Sequence, residues 1–362
     1  MLQSRRFTVS FSAILFLLAV AFGAAVGLTG SPVLDNAAVA QAGGKVPGSA
    51  LGNTSDSELW RAVRRGAQGS VSTPDKQAGV LIQSDGDSWR AFRNGPMSQW
   101  GGWGLLGIIA FLALFFATRG RIRIEAGPSG RTVERFNGIE RFAHWLTAIT
   151  FLAHAITGLN LLYGRYVIKP ILGDSVFATL SLWGKMAHNY LAFPLILGLV
   201  MIFVLWVRDN IPNRQDAAWL SQGGGMFTTG VHPSSKKFNA GQKIIFWVVV
   251  LGGLSLSLSG LSLMFPYEIK MFAATNAFIN IFGANLPTEL TALQEMQLAQ
   301  MWHGVVALVM IVIIIAHIYI GSLGMEGAFD AMGTGMVDEN WAREHHDLWV
   351  AEIEGEPAEG DD

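Results

Sequence analysis

Apolar residues in this chain gather into long unbroken runs. Five runs reach membrane length, at roughly 101–118, 143–163, 186–207, 243–265 and 302–323. About 20 apolar residues of helix cross a bilayer core, so each run predicts a transmembrane helix. A sixth run, from Phe11 to about Leu28, follows Arg5 and Arg6. It precedes "AVAQA", where Ala40 and Ala42 suit a small-x-small cleavage site. Residues 1–42 therefore read as a signal peptide, or as an N-terminal anchor if uncleaved. Residues 43–100, polar and Gly-rich with Trp60 and Trp89, then lie outside the cytoplasm. That segment has too little apolar surface for a core of its own, so its order is expected to depend on a partner.

Charge fixes the orientation of the runs. Arg119, Arg121, Arg123, Arg131, Arg135 and Arg141 crowd the loop at 119–141, and Arg208, Arg214, Lys236, Lys237 and Lys243 the loop at 208–243. The opposite loops hold fewer: Arg165, Lys169 and Lys185 in one, Lys270 in the other. The positive-inside rule makes 119–141 and 208–243 cytoplasmic, in agreement with the signal reading. The acidic tail, 343–362, is then cytoplasmic too and is expected to fray at its end. Its "HHDLW" reads as a surface histidine pair.

Composition narrows the chemistry. The chain is 51% hydrophobic and 14% charged, with net charge −2 and mean hydropathy +0.38. No basic block suggests nucleic acid. The absence of cysteine excludes disulfides, thiolate-held iron–sulfur clusters and covalently attached haem. A redox metal here needs histidine.

Histidine stands where hydrocarbon should. His303 and His317 share the last run, about 21 Å and nearly four whole turns apart, so they leave from one face. Topology puts His303 near the outer surface and His317 near the inner one. His188, at the outer start of its run, is level with His303; His144, at the inner start of another, is level with His317. Buried imidazoles are costly unless something binds them. Two imidazoles per layer, with no carboxylate or thiolate beside them, suit six-coordinate b-type haem in a helix bundle better than zinc or di-iron. His154 finds no second histidine at its depth and reads as a packing or hydrogen-bonding residue. Gly158, Gly184, Gly198 and Gly304 could make room for flat porphyrins.

"RFNGIERFAHW", "VRDNIPNRQDAAWL", "KFNAGQKIIFW", "MWHGVVALV" and "AHIYIGSL" resemble the cytochrome b (gamma) subunit of membrane-bound respiratory formate dehydrogenase, over roughly 131–353. The fold expected is an all-α membrane protein. A four-helix transmembrane dihaem cytochrome b domain (121–342) carries one additional transmembrane helix (101–120) and the signal or anchor segment before it. The resemblance implies two haem b groups, ligated by His188 and His303 on the outside and by His144 and His317 on the inside. It also implies a quinone pocket at Asn239, Gly241 and Gln242 on the cytoplasmic side. By itself "NAGQK" reads as a capped helix start, with Lys243 at the interface; both readings can hold. The first ~130 residues depart from the short family pattern.

The resemblance further implies a multi-pass subunit of a bacterial inner membrane, with 43–100 periplasmic. It would take electrons from an iron–sulfur (beta) subunit, fed by a molybdenum or tungsten catalytic (alpha) subunit that oxidises formate. It would pass them to menaquinone or ubiquinone, and would not act on formate alone. Hydrogen or thiosulfate as donor is the nearest alternative. A histidine-relay transporter or proton channel is a different class, and the lack of Asp and Glu inside the runs counts against it. A cofactor-free anchor leaves the layered histidines unexplained.

Overall fold

The computed structural model describes Arg64 and residues 86–355. The expected signal segment, most of the external segment and residues 356–362 lie outside the described residues. Four helix starts use the same device. Asn137, Asn213, Asn239 and Thr291 each accept the backbone N–H three residues on, and Glu140, Asp216, Gln242 and Gln294 reach back to the capping residue's own N–H. Each pair satisfies two donors that a helix start otherwise leaves unbonded.

The elements run α1 (Gly86–Phe92), a π-helical turn at Arg93–Met97 around Pro96, α2 (Ser98–Arg119), β1 (Thr132–Glu134), α3 (Gly138–Tyr190) and α4 (Ala192–Trp206). They continue as α5 (Arg214–Ser221), α6 (Ala240–Met264), α7 (Met271–Asn280), α8 (Ala292–Tyr319) and a second π turn at Ile320–Gly324. The tail adds α9 (Asp330–Gly333), β2 (Met336–Asp338), α10 (Glu339–His345) and α11 (Asp347–Glu354).

Among the described residues, four helices are long and apolar enough to cross a membrane: Gly86–Arg119, Gly138–Trp206, Ala240–Met264 and Ala292–Gly324. The second is 69 residues long and is broken at Gly173, whose φ of 79° suits glycine. It therefore carries two of the five predicted runs as a hairpin. Thr147 lies against Gly198, Thr157 against Gly184, and Asn160 bonds Ser181, a register only an antiparallel pair gives. α8 runs antiparallel to α6, with Met310 against Gly252 and His303 against Gly260, and parallel to α2, with Leu308 against Gly101. The expected all-α membrane bundle with an added N-terminal helix is the observed architecture.

That added helix is fastened at its N-terminal end. Met97, Leu105, Tyr163, Leu308 and Ile311 form one small core there. Tyr163 Oη donates to Ser98 O at 2.8 Å, and Arg93 donates to Leu161 O. Gly198 and Gly184 pack against threonines of the facing pass, and Gly304 packs against Met97. These three glycines bring helices together rather than clearing space for a porphyrin.

The second core caps the end of the bundle expected to be cytoplasmic, and here the tail departs from expectation. β1 and β2 pair antiparallel, with Thr132 opposite Asp338. Trp341, Ala342, Trp349 and Val350 are buried with Phe136, Trp206 and Phe238. Fully burying one such side chain is worth about 1.5–3 kcal/mol, so the tail up to Glu354 is held in place; the end expected to fray, 356–362, lies outside the described residues. His345 and His346 are not a surface pair. His346 is 1% exposed; Arg135 donates to its Nε2, and its Nδ1 lies 2.8 Å from Lys236 O. Because a carbonyl only accepts, the proton of His346 is on Nδ1. Arg135 is itself buried between Phe136, Trp341 and Trp349, about 5 Å from each ring centre, and burial pushes its guanidinium down to about 9.

This cap should be acid-labile. Burial, then His232 and Arg135, push His345 down to about 4. An unfolded histidine titrates near 6.5, so between those values the unfolded chain binds a proton that the folded chain refuses. Stability is complete above pH 6.5 and falls as pH drops toward 4. His345 accounts for about 3 kcal/mol of that loss. Melting curves between pH 7.5 and 4 should show it, and His345→Gln should shallow the slope; an unchanged slope would remove His345 as the cause.

Candidate redox centre in the helix bundle

α3 and α8 cross the bundle antiparallel, and this sets two of their histidines face to face. The rings of His144 and His317 have centres 6.3 Å apart with planes at 60°. On the other pass of the hairpin, His188 meets His303 at 6.1 Å and the same 60°. The two layers inferred from depth are therefore present as two ring pairs. Two imidazoles bound on opposite sides of one metal ion, at about 2 Å per bond, have centres roughly 6 Å apart.

The polar environment of each pair fits ligands more than core fillers. Neither His144 nor His317 makes a side-chain hydrogen bond among the described residues, and His144 Nδ1 is buried without a partner. Leaving such a group unpaired costs about 1–3 kcal/mol, which a bound ion would remove at the one nitrogen it takes from each ring. In the outer pair, His188 Nδ1 lies 2.8 Å from Thr157 Oγ1, and His303 Nδ1 lies 2.9 Å from Ser259 Oγ. A hydroxyl on Nδ1 can hold the proton there and leave Nε2 to bind a metal, the usual arrangement around a ligating imidazole. Gly158 and Gly260 stand opposite these rings; a Cβ on either would come 3.5 Å from the Cε1 carbon of His188 or His303.

Three of these residues escaped sequence reasoning. Thr157 and Ser259 are distant in sequence from the rings they hold, by 31 and 44 residues, so no local pattern announces them. His154 was expected to stand alone at its depth. Instead the hairpin lays its ring on His188, centre to centre 4.7 Å, while its Nδ1 donates to Thr150 O at 2.7 Å. The hydrogen-bonding role holds and the solitary position does not.

Asn239, Gly241 and Gln242 open α6, beneath the inner pair. Their capping box uses both amide oxygens: Asn239 Oδ1 accepts from Gln242 N, and Gln242 Oε1 from Asn239 N, each at 3.0 Å. The two amide NH₂ groups donate to nothing among the described residues. Gly241 is pressed on Trp219, whose ring a Cβ would approach to 3.0 Å. Lys243 is not at the interface but buried, 2.9 Å from Asp216 and 3.1 Å from Ile211 O.

A family model described as prokaryotic cytochrome b561 matches residues 135–335, more than half of the chain. The chain is 26% identical over 223 residues to the formate dehydrogenase cytochrome b556(fdo) subunit of Escherichia coli (strain K12), covering 61% of this chain and 93% of that protein. It is 25% identical over 228 residues to the nitrate-inducible formate dehydrogenase cytochrome b556(Fdn) subunit of the same strain, covering 62% and 93%. With the formate dehydrogenase cytochrome b556 subunit of Haemophilus influenzae it shares 22% identity over 233 residues, 64% and 87% of the two chains. The resemblance read from short phrases is matched by the family model over 135–335, at modest identity to the named relatives.

Proposed function

We infer, since this chain belongs to the prokaryotic cytochrome b561 family, that it is the membrane cytochrome b subunit of a formate dehydrogenase complex and conducts electrons across the membrane to quinone. His188 and His303 would ligate an outer haem b, and His144 and His317 an inner one. Haem iron, when bound, supplies one-electron transfer between its ferrous and ferric states. The rest of the work belongs to the chain. Thr157 and Ser259 hold the Nδ1 protons of the outer ligands, so both rings present Nε2. α8 spaces the two layers by about 21 Å, which spans much of a hydrocarbon core.

At the cytoplasmic end the unused NH₂ groups of Asn239 and Gln242 can donate to quinone carbonyls, and Gly241 lets Trp219 pack close beside them. The helix cap and the quinone pocket use opposite ends of the same two amides, so one motif serves both. Menaquinone and ubiquinone both offer such carbonyls. The donor would be an iron–sulfur (beta) subunit on the periplasmic side, served by a molybdenum or tungsten (alpha) subunit. That reading supports an inner-membrane location with 43–100 periplasmic.

The observation that carries this reading is the pair of facing imidazoles at each of two depths on one helix. A pyridine haemochrome spectrum of the purified chain should give two b haems per chain. One haem, or none, from a folded and haem-supplied preparation would remove the two-centre scheme. Copurified soluble subunits that reduce the haems with formate would establish the donor; reduction by hydrogen or thiosulfate alone would replace it.

A further inference from the structure

The cytoplasmic end of α2 carries a feature that electron transfer does not use. After Arg119 and Gly120 the chain runs extended through "RIRI", bonded to the end of α8 by Ile122 N to Gly324 O and Glu326 N to Ile122 O, both at 2.8 Å. Alternation on an extended segment sends successive side chains to opposite sides. Ile122 and Ile124 are buried at 7% exposure each, so Arg121 and Arg123 share the other side. Facing them is the 223–232 loop, closed by three glycines with φ between 60° and 70°.

Between the two lies a cavity of about 160 Å³, lined by Arg119, Arg121, Arg123, His232, Thr228 and Thr229 among others. A single water needs about 10–15 Å³ by this measure, so the cavity admits a phosphate group with several waters. Its charge is lopsided. Arg121 and Arg123 make no hydrogen bond or ion pair among the described residues. Arg119 Nε donates only to Met226 O. The one carboxylate, Glu125, is already engaged, by Gly230 N at 2.7 Å and His232 Nε2 at 3.2 Å. His345 Nε2, also at this cavity, is buried without a partner. Three guanidiniums and a hydroxyl pair outweigh one carboxylate that is already hydrogen-bonded, and suit a phosphate-bearing anion.

The surroundings point to where that anion resides. Arg119 is the last residue of a membrane-crossing helix, so the cavity stands at the bilayer boundary. Immediately before it, Phe111, Leu114 and Phe116 are exposed on α2. Phe227 of the facing loop is exposed as well, and meets Phe115 edge to face at 5.8 Å. A cationic cavity beside an apolar flank fits a ligand that is anionic at one end and hydrocarbon at the other. We propose that the cavity between Arg119, Arg121, Arg123 and the 223–232 loop binds a phosphate-bearing anion, supplied in the membrane by the headgroup of an anionic phospholipid. The bound headgroup would tie the added helix α2 to the cytoplasmic cap.

Native mass spectrometry of the haem-loaded full chain, released from detergent, tests this. Phosphatidylglycerol should be retained at least tenfold better than phosphatidylcholine of the same acyl chains. That preference should vanish in R121Q/R123Q and weaken several-fold in R121K/R123K, which keeps the charges that set topology but loses the guanidinium fork. R208Q, at the end of α4 and outside the cavity, should behave as wild type. An unaltered haem spectrum reports that each variant is folded. If inorganic phosphate displaces phosphatidylglycerol and its effect depends on the same arginines, the anion site stands and its ligand is free phosphate. Equal retention of the two lipids without competition by phosphate, or a preference that R208Q abolishes as fully as R121Q/R123Q, would overturn the assignment.

Discussion

Replacing His317 by alanine should lower haem b from two per chain to one and cut quinone reduction to background, while the outer haem stays. The expectation follows from geometry. His317 faces His144 at 6.3 Å, and no other histidine in the bundle stands at that depth. Removing one ring leaves a five-coordinate site at best in an apolar environment, where a single imidazole holds haem weakly. The outer pair is untouched, about 21 Å away along α8. His317→Met separates loss of a ligand from loss of fold. Methionine fits the volume and can bind haem iron, and His/Met ligation raises the reduction potential relative to a histidine pair. That variant should retain two haems, with the inner one shifted to higher potential in a redox titration. Haem loss confined to the outer site, or two unperturbed haems in His317→Ala, would break the pairing of residues proposed for the layers.

The largest effect on stability should come from Glu140→Ala. Glu140 opens α3 directly below the inner pair, and its carboxylate collects three donors at once. It accepts from Asn137 N at 2.9 Å, from the buried Trp206 Nε1 at 2.9 Å, and from Lys237 Nζ at 2.8 Å. Those donors belong to the loop before α3, the end of α4 and the loop before α6. Alanine leaves an ammonium and an indole N–H unpaired inside the cap, and also removes half of a capping box. Breaking one partner of a buried ion pair costs about 3–5 kcal/mol. On a domain of this size that corresponds to a drop of roughly 6–20 °C in melting temperature. Glu140→Gln keeps the shape and one acceptor and should lose less. A melting temperature unchanged in the alanine variant would mean that water already reaches this carboxylate and screens it.

The parts of this molecule that were legible in the sequence are those fixed by distance along one chain segment. Run length specifies a membrane helix because the bilayer sets the number of residues required. Arginine placement orients those helices, since charges near the ends of runs resist transfer. The repeat from His303 to His317 is near a whole number of turns, so one helix alone puts both rings on one face. Matching His188 and His144 to those rings needed only topology. The "NGIE", "NRQD", "NAGQ" and "TALQ" starts are likewise local, and each is a capping box in the structure.

What only the tertiary structure decided lies between segments. His154 was placed by counting residues from His144 alone, but its neighbour His188 arrives from the returning pass, whose register depends on how Gly184 and Gly198 seat against Thr157 and Thr147. The hydroxyls beside His188 and His303 come from the facing pass of α3 and from α6 for the same reason. The acidic tail read as carrying a surface pair in "HHDLW" because its composition is polar. Its four aromatic and aliphatic anchors are enough to seal a cap once β2 aligns them against Phe136 and Trp206. Local sequence therefore determined which helices cross and where their imidazoles sit in depth. Packing determined which side chains surround those imidazoles, because a contact across a bundle depends on the register of two helices at once.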